Sequence, residues 1–147
     1  MKSQYPLPAF FKALTDVMND QRSLILVTNG YFEVLADILL ERYCKNSKRI
    51  FKDGRSYPYS VKLVILNEVG GIDDDLYRQL DAFRQLRNRA AHDAFFSISE
   101  DDYSSILTIN GEKTSNLYEL CCILSAVYWF TRKDIFTTAT EHKSNGA

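Results

Sequence analysis

Metal-binding side chains are scarce in this chain. It has two histidines and three cysteines, Cys44, Cys121 and Cys122, with no CxxC pair. A zinc site therefore lacks a ligand set, and no metal or cofactor is expected. Adjacent Cys121 and Cys122 have poor geometry for an ordinary structural disulfide, and three thiols cannot all pair. They are expected to be buried free thiols of a reducing cytosol. An excess of one charge is also missing: 18 basic against 19 acidic residues give a net charge of -1. A dedicated duplex-DNA binder would show a strongly basic face, so sequence-specific DNA binding by the chain alone is not expected. No uncharged run approaches the ~18 residues that span a bilayer. Residues 1–21 carry Lys2, Pro6, Pro8, Lys12, Asp16 and Asp20, which does not resemble a secretory signal. A cytoplasmic protein without membrane contact is the expectation. Internal repeats and low-complexity tracts are absent too.

What remains is a chain of 147 residues, 46% hydrophobic and 25% charged, enough for one domain with a core that needs no staples. Its pattern is helical. The fold class expected is all-α: a compact bundle with two long core helices and several shorter ones over residues 1–140, then a polar, frayed tail over 141–147. Pro8 near a first turn, with Phe11, Leu14 and Met18 at helical spacing, predicts a short N-terminal helix. Residues 22–46 predict a long central helix. Leu24, Val27, Tyr31, Val34, Leu35 and Ile38 recur at threes and fours, and Ile25, Phe32 and Leu39 add a second apolar side. Gly30 in its interior implies close approach by another helix. Asn29, Glu33, Asp37 and Glu41 form a polar stripe, either a solvated face or an acidic partner for buried cations.

Residues 45–55 hold the one dense basic segment, Lys45, Lys48, Arg49, Lys52 and Arg55. It reads as a solvated connector or as a phosphate-contacting loop. A short helix follows, closed by Gly70 and Gly71. Asp73 is placed to cap the next helix, with Asp74 and Asp75 at its positive end. Ser99 can cap a short turn of helix, "SSILTI" reads as a brief extended piece, and Asn110–Gly111 as a turn. Residues 115–139 predict a last long helix.

The stretch "FRQLRNRAAHDAFF" is the chemically suggestive one. On a helical wheel Arg87 falls among Leu76, Leu80, Phe83 and Ala90, with Leu86 and Ala91 at the edges, while Asn88 and His92 lie along one flank. A buried guanidinium needs a partner. Glu33 and Asp37 are the internal candidates, an anionic ligand or a second copy of the helix the others. Arginine forks onto phosphate oxygens, asparagine positions an oxygen and histidine passes protons near neutral pH. RNA brings its own 2′-hydroxyl nucleophile, so such a trio could act on it without a metal.

At these residues "LRNRAAHD" resembles the hallmark of the HEPN superfamily: Arg, a polar residue often Asn, then His. Residues 60–93 as a whole are similar to the mannitol operon repressor family and its uncharacterised relatives, and residues 23–43 look like their preceding long helix. The resemblance spans half to two-thirds of the chain. It implies an all-α bundle, often a homodimer, with the motif helix near the subunit interface. It also implies a non-enzymatic regulator acting through a protein partner in transcriptional control. The alternative it implies is a metal-independent endoribonuclease on RNA, completed by a second subunit. Arg87 would then be the phosphate clamp, Asn88 its orienter and His92 the proton carrier. Members paired with a nucleotidyltransferase antitoxin often carry Tyr where this chain has Ala94, which counts against that subtype.

Overall fold

The computed structural model describes residues 6–106, 114 and 116–144, the side chains of 105 and 139–144 excepted. Among them every regular element is helical. The first, α1 (Leu7–Asp16), starts behind Pro6 with Pro8 in its first turn and buries Leu7, Phe10 and Leu14. Phe10 stacks on Tyr31 with ring centres 4.1 Å apart. Phe11, expected inside, is only partly buried, and Met18 lies past the helix end and is exposed.

The axis of the fold is α2 (Gln21–Tyr43). Asp20 caps it, accepting from the Arg22 and Ser23 amides. It ends three residues earlier than expected, at extended Cys44. Eleven of its residues are buried, from Leu24 to Leu40, on nearly all sides. That is why the sequence shows two apolar faces rather than one: α2 packs on α1 and on most of the helices defined below. By length and composition α2 could cross a membrane, but 61% of its apolar window is covered by the rest of the fold. Gly30 does not mark a close approach. A Cβ there would meet nothing within 4 Å, so the glycine costs about 1 kcal/mol of helix propensity with no packing gain.

The basic segment contains α3 (Ser47–Lys52), which tucks Ile50 inward and leaves its cations in solvent. Then come α4 (Tyr59–Glu68) and α5 (Asp74–His92). Between them Gly70 takes φ +78°, where side chains are strained, and the Gly71 and Ile72 amides bond back to the Leu66 carbonyl. Two further helices are α6 (Glu100–Ile106) and α7 (Leu117–Thr131), capped by Ser99 and Asn116. The backbone of residues 104–106, assigned to an extended piece from sequence, is thus helical; residues 107–109 of that piece and the 110–111 turn lie outside the described residues.

The expected helix over 115–139 is broken. Arg132 leaves helical geometry, and α8 (Lys133–Ser144) starts after it. Arg132 donates to the Gly70 carbonyl at 3.0 Å. The bend folds Phe136 onto Trp129, 5.2 Å between ring centres, and against Tyr128. One more buried ring outweighs one continuous helix. The backbone of α8 is helical to Ser144, past the expected boundary at 140. One apolar core links these helices, centred on Phe32 of α2, which meets Phe83 of α5 and Tyr128 of α7.

Candidate functional site

Helix α5 forms as its sequence suggests. The Asp73 carboxylate accepts from the Leu76 amide at 2.7 Å, and Asp74 and Asp75 follow in the first turn. Its buried side is Leu76, Leu80, Phe83, Leu86 and Ala90. Because Leu86 is fully in this set, the centre of the buried face is turned away from Arg87. Arg87 is partly buried at the rim, not in the middle of the apolar side. Arg87 also lines a cavity.

That cavity, of about 260 Å³, opens where three helices meet. From α2 it takes Asn29 and Glu33, from the start of α4 Pro58, Tyr59 and Ser60, and from α5 Arg84, Arg87 and Asn88. Arg84 is occupied by Asp81 at 2.8 Å. Arg87 has a long contact to the Asn88 side-chain oxygen, 3.5 Å, and no ion pair among the described residues. Glu33 faces it at longer range. Burial raises the Glu33 carboxyl above the usual range, and the charges of Arg87 and Lys62 offset this only in part.

Of the two expected partners of Arg87, Asp37 is therefore a correction. It pairs with Lys62 of α4 at 2.9 Å, both side chains four-fifths covered. The polar stripe of α2 is thus split: Asn29 is buried, Glu33 opens on the cavity, and Asp37 holds a largely covered cation. That serves the acidic-partner reading, with Lys62 rather than Arg87 as the cation.

His92 is the last residue of α5, exposed and off the cavity wall. Arg87 and Asn88 share the cavity; His92 does not join them within one chain. Lys45, Lys48, Arg49, Lys52 and Arg55 are all exposed, and none lines the cavity either. Cys44 and Cys122 are partly exposed, correcting the expectation that all three thiols are buried. Cys121 is buried, and burial pushes its thiol up to about 12, so it stays protonated and inert at neutral pH.

Sequence reading missed the clamp at the end of α5. Arg22 donates to the carbonyls of Ala90, Asp93 and Ala94 at 3.2, 2.6 and 3.0 Å, closing the helix C-terminus with a cation. Arg89 holds Asp102 at 2.6 Å and the Ser97 carbonyl. Burial alone would push the Asp102 carboxyl up, but Arg89 and Ser99 bring it below its ordinary value. Both guanidinium groups lie over the Phe96 ring, 6.0 and 5.6 Å from its centre. The Phe95 amide bonds the Asp93 carboxylate at 2.9 Å. The result is a fixed turn that holds the Phe95 ring 93% exposed. Compared with protein-family models, with curated proteins and with solved structures, the chain finds no match, so its functional reading rests on these side chains.

Proposed function

We propose that the chain is a non-enzymatic regulatory helical module that works through protein contacts in transcriptional control, as a homodimer in the cytoplasm. The observation that carries this reading is the divergence of the motif's side chains. Arg87 lines an open polar cavity together with Glu33, while His92 stands exposed at the helix end. A phosphodiester would need the guanidinium and the imidazole on one wall. The same turn supplies a contact feature instead. Phe95 is a large apolar ring presented to solvent by a backbone that Arg22 and Asp93 hold in place. Preordered aromatic side chains of this kind serve as anchors in protein interfaces.

The alternative reading is a metal-independent endoribonuclease using Arg87, Asn88 and His92. It draws support from an Arg87 that no carboxylate pairs directly among the described residues, and it requires a second subunit to complete the site. The exposed cations of residues 45–55 would then be the phosphate track.

The experiment is a transcript profile of host cells lacking the chain, complemented with wild type, Phe95→Ser or His92→Ala. The expected result is that Phe95→Ser reproduces the profile of the deletion while His92→Ala restores the wild-type profile. Restoration by Phe95→Ser would contradict the contact role. Failure of His92→Ala alone would favour the ribonuclease.

A further inference from the structure

Helix α7 has two sides, and the core takes one of them. Leu117, Leu120, Cys121, Leu124 and Tyr128 are buried. The other side carries Glu119, Cys122, Ile123, Ala126, Val127 and Phe130, at the threes and fours that line up along a helix. A solvated helix face is normally charged or polar. This one has a charge only at its start: from Leu120 to Thr131 no residue is charged. Phe130 is 59% exposed and Val127 36%, while Cys122, Ile123 and Ala126 are partly exposed. At the far end stands Lys133, the first residue of α8, its ammonium 5.8 Å from the Phe130 ring centre. The apolar stripe thus runs from an exposed anion, Glu119, to an exposed cation, Lys133.

We propose that this face of α7 packs antiparallel on the same face of a second copy of the chain, about a two-fold axis at Ala126. A two-fold interface demands a surface that complements itself, and the stripe does so in charge and in size. Residues equally far from Ala126 on its two sides meet across the axis. Glu119 of one copy meets Lys133 of the other. Phe130 of one copy meets Cys122 of the other, a large side chain against a small one, as ridges packing into grooves require. Ala126 meets itself, and its small side chain lets the helix axes approach to about 8–10 Å. A parallel pairing would instead set Glu119 on Glu119 and Phe130 on Phe130. An unrelated partner would need no match between the two ends of one helix, so the matched ends favour a second copy. The inference names the contact face of the homodimer in the regulatory reading, and in that respect rests on it. The Phe95 turn, on a different element, is left to another protein.

The test is sedimentation equilibrium of the full chain under reducing conditions. Wild type is expected to be a dimer. Ala126→Arg sets two cations against each other at the axis, and is expected to weaken the dimer at least about a hundredfold, as juxtaposed like charges do. Glu119→Lys and Lys133→Glu are each expected to weaken it roughly three- to tenfold, because like charges then meet twice across the axis. Asp134 is exposed beside Lys133, so the decisive variant is the double one: Glu119→Lys with Lys133→Glu should restore most of the affinity. Phe95→Ser and Arg78→Ala, the latter on the exposed face of α5, should leave the dimer unchanged. Circular dichroism establishes that each variant is folded. If Ala126→Arg fails to fold, the exposed charge pair decides the matter. A monomeric wild type, a dimer that survives in folded Ala126→Arg, or a double variant no tighter than the single ones would each overturn the proposal. Dissociation by Phe95→Ser would place the interface elsewhere and overturn it too. None of these results touches the transcript profiles, which decide the regulatory reading separately.

Discussion

Phe32→Ala is expected to destabilise the chain by about 3–5 kcal/mol, the usual cost of truncating a large buried aromatic. Phe32 has no exposed surface and joins three helices, its ring 5.3 Å from Phe83 and 5.8 Å from Tyr128. Removing it deletes the apolar transfer gain, both ring contacts and the packing around the vacated volume. Domains of this size are stable by about 5–15 kcal/mol, so the variant should lie near its unfolding threshold. Urea melts give the value directly. The effect reaches the cavity as well, because Phe83 sits one helical turn before Arg87 and sets the rotation of α5 against α2. A loss below about 1 kcal/mol would show that the three rings are not interlocked.

The second large effect is expected at Arg22. Its bonds to the Ala90 carbonyl of α5 and to the Asp93 and Ala94 carbonyls just past it, with its position over Phe96, tie the first turn of α2 to the end of α5. Arg22→Ala should cost about 2–3 kcal/mol, since each bond involves a charged donor but the site is partly open to water. Arg22→Lys should recover little, because one ammonium cannot span the carbonyls that the planar guanidinium bridges. Hydrogen exchange by mass spectrometry is the direct readout: peptides covering residues 88–98 should lose protection in Arg22→Ala while α7 keeps it. Equal protection in wild type and variant would mean that the turn carrying Phe95 is held by something else.

Local signals were readable where sequence neighbours act on each other. The Asp73 cap, the Gly70 turn, the Ser99 cap and the helical class each depend on contacts a few residues apart. Helix ends and partners set by distant residues were not readable. The break at Arg132 is not legible in residues 115–139, because Arg132 there meets the Gly70 carbonyl, 62 residues away. Asp37 and Glu33 look equivalent on α2, yet only the approach of α4 decides that Lys62 takes Asp37. A helical wheel places Leu86 at the edge of the apolar side, whereas the fold buries it and so turns Arg87 to the rim. Arg22 lies 71 residues from the Asp93 carbonyl it holds, and no periodicity links the two.

The separation of Arg87 from His92 underlies the regulatory reading. The most direct measurement is incubation of the purified wild-type chain, Arg87→Ala and His92→Ala with labelled RNA in EDTA. The expected result is no cleavage by wild type above either variant. Cleavage by wild type that disappears in both variants would show that these two side chains act together on RNA, and would contradict the separation.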